Sequence, residues 1–415
     1  MKTNNFARVI VDTQSNRLFT GVAFEQNYDQ RGGLCQVGAG SIVVTTNPIN
    51  PRYLLYWQSL GFSLPDFVIA GPHDPNFCLS ELIMNNEFVQ QDIAEILGDR
   101  DARLEFFCIE EAERQLAHKL GIWPYCNFDV AIPLSRKNNF KAMFDQIEIL
   151  TPPWQSFNGK DQLVKYGKDM LNRGSILLKS VDGTGGIACH GMVKIDDPLG
   201  LMNTVNTLDE YGSEFIIEQI VADKADELSV HWEITEDRKI KILGIFSQLS
   251  DNFAYSGTKT AFLMPELREK IIEDLQLCLG PELIRRGALG YHCCDLIVDQ
   301  AGEVYWIDLN PRKGAIIYVY SMVERLARIH SLGSEPFFFH KHCHVPAIAG
   351  QDAFEVIQSR LKPFLSPDLE QSFVVVTNPG VMEFGYVDIT GISVESEAEA
   401  RRIFEYALET LQGVA

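Results

Sequence analysis

The chain has 415 residues, of which 46% are hydrophobic and 22% are charged, a composition that excludes disordered and fibrous proteins and predicts a folded one. At about 150 residues per domain, this length predicts two to four domains. The 36 Lys and Arg residues and 56 Asp and Glu residues give a formal net charge of −20. We therefore expect no nucleic-acid partner and no binding to anionic membranes.

The nine cysteines are scattered and form no Cys-x-x-Cys pair. This pattern is typical of buried thiols in a reducing compartment rather than of a disulfide framework. The N-terminal segment lacks a long apolar stretch, and no window of 18 apolar residues occurs in the chain, so we expect neither a secretory signal nor a membrane span. These observations predict a cytoplasmic protein.

The N-terminal third has the pattern of an α/β domain. A β-branched run at 41–46 is followed by an Asn-Pro turn, a helical pattern and a second apolar run at 67–71. Strand, helix and strand in this order are typical of a parallel α/β unit. Two further helices are predicted at 79–99 and 110–121, and we assign 1–132 to this domain.

The following segments have a different composition. Basic and loop-forming residues from 133 onward mark a domain boundary, and strand patterns separated by two helical stretches follow it. We interpret 133–335 as an α+β domain with antiparallel hairpins and 336–415 as a small C-terminal α+β segment. The strands of the central domain are predicted at 175–179, 214–221, 227–235, 239–248, 291–299 and 303–309.

The segment 291–310 predicts a β-hairpin with two opposed carboxylates. If 301–302 forms a two-residue turn, the register places Asp295 directly opposite Asp308. The Cβ atoms of such neighbours are about 4.5 to 5.5 Å apart, where like charges destabilise a sheet unless a cation neutralises them. Asn310 projects from the same face and adds a third oxygen, and the three side chains form a set suited to Mg²⁺.

The same hairpin has a plainer interpretation, in which its acids are solvated on the open face of the sheet. An error of one residue in the turn would also change the register. The opposite face is predicted to be core, and it consists of Cys294, Leu296 and Val298 against Tyr305, Ile307 and Leu309.

Two other stretches contain candidate nucleotide contacts. Lys179 ends a predicted strand and precedes a glycine-rich loop at 183–186, whose backbone N–H groups can point at phosphates. The alternative for this loop is an ordinary Gly-rich hairpin. The strand 214–221 contains Glu218 near its end and is followed by Glu227, so it can offer backbone groups to an adenine and an acid to a ribose. Its alternative is a plain antiparallel strand with exposed acids.

In this order, the stretches resemble the ATP-grasp superfamily over 133–325. The motifs are a basic segment containing Lys141, ILLK with its Gly-rich loop, IIEQIV followed by Glu227, and DLIVDQAGEVYWIDLNPR. The resemblance implies ATP and Mg²⁺ as cofactors and a central domain of two α+β subdomains. In the family the second metal carboxylate is usually Glu, whereas this chain has Asp308.

The resemblance also implies a role for each matching residue. Lys259, in the loop at 252–260, is a further candidate for a phosphate or carboxylate contact. The implied site residues are Lys141 and Lys179 at the phosphates and the adenine N7 side, Gly183, Thr184, Gly185 and Gly186 over the phosphates, Glu218, Gln219 and Val221 in the adenine hinge, Glu227 at the ribose, Asp295, Asp308 and Asn310 at Mg²⁺, and Arg312 at the transferring phosphoryl group.

The flanking segments GSIVVTTNPINPRYLLYW and FVVVTNPGVMEFGYVDITG look like the branch with a pre-ATP-grasp domain, similar to peptide ligases of pheganomycin type and carrier-protein ligases of butirosin type. This implies that a carboxylate is activated as an acyl phosphate, with release of ADP and phosphate. We predict amide bond formation between an amino acid or small peptide and an amine. The alternative is loading of an amino acid onto an acyl carrier protein.

Two hypotheses from other classes are a non-catalytic nucleotide-binding protein and a dinucleotide oxidoreductase, although no glycine fingerprint follows SIVVTT. The oligomeric state stays open between a monomer and a homodimer. A separate feature is FFFHKHCHVP: if this run is a strand, His340, His342 and His344 share one face and can bind zinc. The alternative is a partly buried polar patch.

Overall fold

The computed structural model describes residues 6–12, 29–72, 74, 76–157, 159–181, 192–206, 214–251, 253–331, 335–365 and 372–413. The chain divides into two compact units. Unit 1 consists of Met1–Tyr125, Gly257–Thr260 and Lys313–Ala415, and unit 2 consists of Cys126–Ser256 and Ala261–Arg312.

Seventeen strands are described. In chain order they are β1 (Ala7–Val11), β2 (Ile42–Thr45), β3 (Asp66–Ile69), β4 (Ala102–Phe106), β5 (Trp123–Pro124), β6 (Trp154–Phe157), β7 (Ile176–Ser180), β8 (Met192–Ile195), β9 (Phe215–Gln219), β10 (Lys224–Ile234), β11 (Ile240–Asp251), β12 (Ala254–Thr260), β13 (Gly290–Asp299), β14 (Val304–Asn310), β15 (Phe337–His344), β16 (Phe373–Thr377) and β17 (Tyr386–Ser393).

The helices of the described residues are α1 (Asp29–Gln36), α2 (Pro51–Ser59), α3 (Leu79–Met84), α4 (Glu87–Leu97), α5 (Glu111–Leu120), α6 (Phe128–Leu134), α7 (Lys137–Gln146), α8 (Lys160–Leu171), α9 (Pro198–Asn206), α10 (Pro265–Glu273), α11 (Gly280–Arg286), α12 (Ile316–Ile329), α13 (Ala353–Leu361) and α14 (Glu397–Gln412). A π-helical segment, Asp274–Leu279, joins α10 to α11. Among the described residues, no helix combines the length and the apolar character that crossing a membrane requires.

Unit 1 contains a parallel sheet in the order β3-β2-β1-β4-β5, as the α/β prediction requires. All four residues of β2 are buried, which is typical of a parallel strand that is covered on both faces. Helix α2 follows β2 and begins at Pro51, because the Asn50 side chain accepts a hydrogen bond from the Arg52 N–H and caps the first turn. The predicted N-terminal α/β architecture is confirmed.

The predicted helix at 79–99 is wrong in one respect, since this stretch forms two helices, α3 and α4. The Asn86 side chain accepts hydrogen bonds from the N–H groups of Phe88 and Val89. The first N–H groups of a helix have no carbonyl partner within it, and a side chain that accepts hydrogen bonds from them starts a new helix. The apolar pattern continues across the break, which is why it suggested a single helix.

The C-terminal part of unit 1 is an antiparallel sheet in which β15 pairs with β17 and β17 with β16. Helix α14 packs on β17, where a Cβ on Gly391 would lie 2.0 Å from the Ala400 carbonyl oxygen. Only glycine allows this close approach. The segment 336–415, which we predicted as a small C-terminal α+β domain, falls in the same compact unit as the N-terminal sheet.

Unit 2 contains two layers of sheet and helix, as expected for two α+β subdomains. In the first, β6-β9-β7-β8 is an antiparallel sheet whose core residues include Leu163 on α8 and Leu201 on α9. In the second, β14-β13-β10-β11 encloses a core that includes Phe144 on α7, Leu283 on α11 and Trp306. The candidate site residues of unit 2 lie on these two layers.

Candidate active site

Strands β13 and β14 form the predicted hairpin, and Asp295 lies directly opposite Asp308. The turn differs from the prediction. The Asp299 N–H donates to the Glu303 carbonyl oxygen, so the connection contains three residues, 300–302, instead of two. A three-residue connection with glycine at its last position is a common hairpin turn.

A β-bulge restores the predicted pairing of the carboxylates. Leu296 pairs with Trp306, one residue out of step with the pair at Asp295, so Ile307 is the extra residue on β14. Between the longer turn and the bulge, the register is shifted by one residue, so the expected core positions Tyr305 and Ile307 are wrong. The residues that do face the core are Cys294, Leu296 and Val298, as expected, together with Val304, Trp306 and Leu309.

Beside the hairpin, three lysines contact two acids. Lys179 Nζ donates to Glu218 Oε1 at 2.8 Å and lies 3.8 Å from Asp308 Oδ1. Lys141 pairs with the other oxygen of Glu218, and Lys137 Nζ lies 3.7 Å from Asp308 Oδ2. We call these five residues the lysine cluster. The Glu218 side chain is 2% exposed and the Asp308 side chain is 21% exposed, so the cluster opens to solvent at Asp308.

The charges of the lysine cluster shift its pKa values in opposite directions. Burial alone would raise the pKa of Asp308, but the lysines outweigh burial and hold that pKa well below its usual range. The same balance lowers the pKa of Glu218. Burial opposes the charge of Lys179, but Asp308 and Glu218 raise its pKa. At Lys141 burial prevails and lowers the pKa.

Asp295 has a different environment from the acid opposite it. Burial and the charge of Asp308 raise the pKa of Asp295 to about 6. Ser229 Oγ, at 3.2 Å, and Gln248 Nε2 both donate to Oδ1 of Asp295. His231 Nε2 lies 3.0 Å from Ser229 Oγ, and burial lowers the pKa of His231 to about 3. The side chains that donate hydrogen bonds to Asp295 are therefore neutral, whereas lysines contact Asp308.

The remaining predicted residues of the described part of unit 2 lie on β9, β10 and β14 or within two residues of their ends. Asn310 Oδ1 accepts a hydrogen bond from Arg312 Nη2 at 3.2 Å, and Glu227 pairs with Lys224. Gln219 and Val221 line a cavity of about 550 Å³. The residues predicted for the metal and for the hinge therefore lie in one compact unit.

Two predicted groups lie outside the described part of unit 2. Lys259 lies in unit 1, where its Nζ is 3.6 Å from Glu397 Oε1. The glycine-rich loop at 183–186 lies outside the described residues.

The histidine run forms strand β15 but gathers no metal site. His340 Nδ1 lies 2.9 Å from Thr390 Oγ1, and His342 Nδ1 lies 2.5 Å from Asp388 Oδ1. Within the described ranges, no group of three or more His, Cys, Asp or Glu residues could hold a metal. The zinc hypothesis therefore gains no support.

No protein-family model and no curated protein sequence matches the chain. Solved structures match it over nearly its full length. The biotin carboxylase of Campylobacter jejuni has a TM-score of 0.62 at 13% identity, with 97% of this chain and 91% of that chain covered. The N5-carboxyaminoimidazole synthetase of Staphylococcus aureus has a TM-score of 0.60 at 12% identity, with 98% of both chains covered. The chain has the ATP-grasp fold.

A second synthetase of this kind, from Thermus thermophilus, has a TM-score of 0.58 at 12% identity, with 99% of this chain and 98% of that chain covered. At such identities the likeness establishes the ATP-grasp fold alone. The chemistry of the site must therefore be argued from the residues of this chain.

The side-chain oxygens at the β13–β14 hairpin suit Mg²⁺ by their chemistry. Among the described residues, Asp308 Oδ1 is buried and has no hydrogen-bond partner. With Asp295 and Asn310 it offers two carboxylates and an amide oxygen, the hard ligands that Mg²⁺ prefers. Two carboxylates do not complete an octahedral site, but Mg²⁺ commonly takes its remaining ligands from water and substrate phosphates. The surplus lysine charge suits such phosphates.

Sequence reasoning missed three residues of this site. Lys137 lies four residues before Lys141, a spacing that puts both on one helix face, so this signal was available. Ser229 pairs with Asp295 between β10 and β13, and Gln248 reaches the same carboxylate from β11. Those two contacts depend on the pairing of strands far apart in sequence, which no local pattern reveals.

Proposed function

We propose that this chain is an ADP-forming ligase that uses ATP to activate a carboxylate as an acyl phosphate. The observation that carries the proposal is the pair of opposed carboxylates, Asp295 and Asp308, beside the lysine cluster. Paired acids and buried lysines together provide the charges that a metal-bound triphosphate requires. The ATP-grasp fold supports the proposal.

Two structural neighbours support the same cofactors. The Staphylococcus aureus synthetase is complexed with ADP, and a biotin carboxylase domain of Hydrogenobacter thermophilus is in complex with MgADP, ADP and bicarbonate. We infer that this chain also uses ATP and Mg²⁺. Asp295, Asp308 and Asn310 would hold the metal, which would neutralise charge on the phosphates.

The other roles follow from the contacts in unit 2. Glu218 and Asp308 pair with the lysines, and we infer that Lys141 and Lys179 bind the phosphates of ATP. Lys137 joins them, because it lies 3.7 Å from the second oxygen of the carboxylate that Lys179 also approaches, that of Asp308. The loop at 183–186 keeps its proposed role over the phosphates.

We assign the adenine to the backbone of the hinge at 218–221 and the ribose to Glu227. The hinge has space beside it, since Gln219 and Val221 line a cavity of about 550 Å³, a size within the range of small-molecule sites. The Glu218 side chain pairs with Lys141 and Lys179, so we do not assign it to the adenine.

The reaction needs alignment and charge neutralisation more than covalent help from the protein. A carboxylate oxygen attacks the γ-phosphorus while the bond to the ADP oxygen breaks, and ADP leaves with the electron pair. An amine then attacks the acyl carbon, phosphate leaves, and the amine loses a proton to water. We assign Arg312 to the charge of the transferring phosphoryl group.

The proposed substrates are an amino acid or small peptide, which supplies the carboxylate, and an amine that accepts the acyl group. The proposed location of the protein is the cytoplasm. The alternative acceptor is the thiol of an acyl carrier protein. Lys259 keeps its sequence-based role as a candidate contact for a phosphate or a carboxylate.

The test is ADP release from MgATP in the presence of amino-acid and peptide pools. We expect the wild type to form ADP only with a pool that contains its substrate, and Asp295→Asn to lower the rate by about 10² or more. Glu303→Gln is the matched control, since Glu303 is a partly exposed acid of the same hairpin that pairs with Lys270. Equal rates for Asp295→Asn and the wild type would refute the catalytic assignment. If no pool gives ADP, the chain is a non-catalytic nucleotide-binding protein.

The acceptor is identified by adding candidate carrier proteins to the same assay. The amide reaction predicts ADP release and a new amide product without any carrier. If product forms only when a carrier with its phosphopantetheine thiol is present, the thioester reaction is correct.

A further inference from the structure

A chain of hydrogen-bonding side chains lies behind Asp295 and has no role in the proposed function so far. Ser229 is directly opposite Asp295 in the β10–β13 pair. His231 is two residues further along β10, so it projects from the same face of the sheet as Ser229. Gln248 approaches the carboxylate from β11.

The direction of the first two hydrogen bonds follows from the chemistry of the groups. An ionised carboxylate can only accept, so the Ser229 hydroxyl donates its single hydrogen to Asp295 Oδ1 at 3.2 Å. Its other acceptor, the Cys294 carbonyl oxygen, is farther away at 3.4 Å. Ser229 Oγ must then accept from His231, which we assign as the neutral tautomer with its hydrogen on Nε2. The chain therefore runs from His231 through Ser229 to Asp295.

Both donors to Asp295 bind the same oxygen. Gln248 Nε2 and Ser229 Oγ converge on Oδ1, and within the described residues no hydrogen bond reaches Oδ2. A carboxylate with one oxygen held twice cannot rotate freely about its Cβ–Cγ bond. Its second oxygen is left to bind a ligand outside the sheet.

We propose that Ser229, His231 and Gln248 are positioning residues that present Asp295 to the metal through Oδ2 alone. This role rests on the proposed function. Hydrogen bonds behind a metal ligand fix its orientation, and their loss typically lowers metal affinity by about 10- to 100-fold. His231 acts one step further back, by holding the hydroxyl of Ser229 in its donating direction.

The experiment measures Mn²⁺ binding by electron paramagnetic resonance in the presence of ADP. We expect Ser229→Ala and Gln248→Met each to raise the Kd of Mn²⁺ by about 10- to 100-fold. His231→Phe keeps the ring that packs against Phe246 but removes the donor, so it should raise the Kd by about threefold to tenfold. Ser229→Thr retains the hydroxyl and should restore binding.

Two controls separate positioning from damage to the fold. The Kd of ADP in EDTA should stay the same in every variant, because positioning of Asp295 matters only when the metal is present. Ser247→Ala removes another buried hydroxyl from β11, opposite Leu228 in the core, and should leave the Kd of Mn²⁺ unchanged.

Two results would overturn the positioning roles without affecting the proposed function. The first is wild-type Mn²⁺ affinity in Ser229→Ala and Gln248→Met. The second is a loss of ADP affinity in EDTA that equals the loss of Mn²⁺ affinity in these variants. If the wild type itself binds no Mn²⁺ with ADP, the proposed function fails together with the positioning roles.

Discussion

Each unit contains a buried cluster of cations and acids, and the two clusters differ in charge balance and exposure. In unit 1, Lys313 is 2% exposed and lies 3.2 Å from Asp12 and 3.3 Å from Glu105. Gln36 accepts a third contact from Lys313, and Arg8 makes two hydrogen bonds to Glu105. Two cations thus face two acids, and the lysine and both acids are shielded from water.

The lysine cluster of unit 2 has three ammonium groups around two acids, and its Asp308 end is 21% exposed. A balanced and closed cluster cannot take up another charge without a large desolvation cost. An open cluster with surplus positive charge attracts phosphates. Buried ion pairs alone therefore do not mark a ligand site, and we propose that the surplus charge at the exposed end of the lysine cluster does.

The largest expected effect is on stability, in unit 1. Lys313→Met should lower the free energy of unfolding by about 3 to 5 kcal/mol, because it leaves the carboxylates of Asp12 and Glu105 short of a buried cation. Lys141→Met in unit 2 should cost less, since Lys179 still pairs with Glu218. Urea unfolding of both variants measures the difference. Equal losses would contradict the contrast between a closed and an open cluster.

The next effect concerns activity, in unit 2. Lys179→Met should lower kcat/KM for ATP by about 10² to 10³, because it removes a preorganised cation from the proposed phosphate site. Its unfolding free energy should change less than that of Lys313→Met, since Lys141 still pairs with Glu218. Steady-state ADP release measures the loss. The assignment of Lys179 fails if the variant keeps wild-type kcat/KM.

The residues that the sequence located are those of the continuous hairpin and its neighbours. Asp295, Asp308 and Asn310 could be placed because a hairpin brings sequence neighbours together, and its register follows from a local turn. Even there, two errors cancelled: the turn is one residue longer than expected, and the bulge at Ile307 returns the register to the predicted pair. The carboxylate pair was predicted correctly, but the core face of β14 was not.

The parts that the sequence could not supply depend on contacts between distant segments. Nothing local indicates that Gln248 reaches Asp295, or that the C-terminal strands fall in one unit with residues 1–125. The closed cluster of unit 1 was missed for the same reason, since Asp12 and Lys313 are 301 positions apart in the chain. Lys137 was missed although its spacing from Lys141 gave a local signal.

Glu105 in the unit 1 cluster and Asp295, which lies opposite Asp308 in unit 2, should respond to pH in opposite directions. Burial alone would raise the pKa of Glu105, but Arg8 and Lys313 outweigh it and lower that pKa from 4.5 to about 2. Its stabilising contribution of about 3 kcal/mol is therefore present above pH 4.5 and lost as the pH falls through 2. The pKa of Asp295 is raised from 3.8 to about 6, so its contribution of about 3 kcal/mol is present below pH 3.8 and lost as the pH rises through 6.

Urea unfolding in EDTA between pH 3 and 8 checks both signs. Asp295→Asn should be more stable than the wild type at pH 8, and this gain should shrink as the pH falls below 6. Glu105→Gln should be less stable than the wild type at pH 8, and the gap should narrow toward pH 3. A gain in Asp295→Asn that does not depend on pH would contradict the raised pKa.

The smallest expected effect tests the exposed end of the lysine cluster. Lys137 lies 3.7 Å from Asp308 Oδ2, so we expect it to compete with a metal ion for the Asp308 carboxylate until a nucleotide draws it away. Lys137→Gln should therefore strengthen the binding of Mn²⁺ alone by about threefold and weaken that of ADP in EDTA by about tenfold, which corresponds to losing one partly exposed charge pair in each case. Lys270→Gln, which removes an exposed partner of Glu303, is the control. If Lys137→Gln weakens Mn²⁺ and ADP alike, Lys137 supports the fold of the site and does not exchange between the acid and the phosphates.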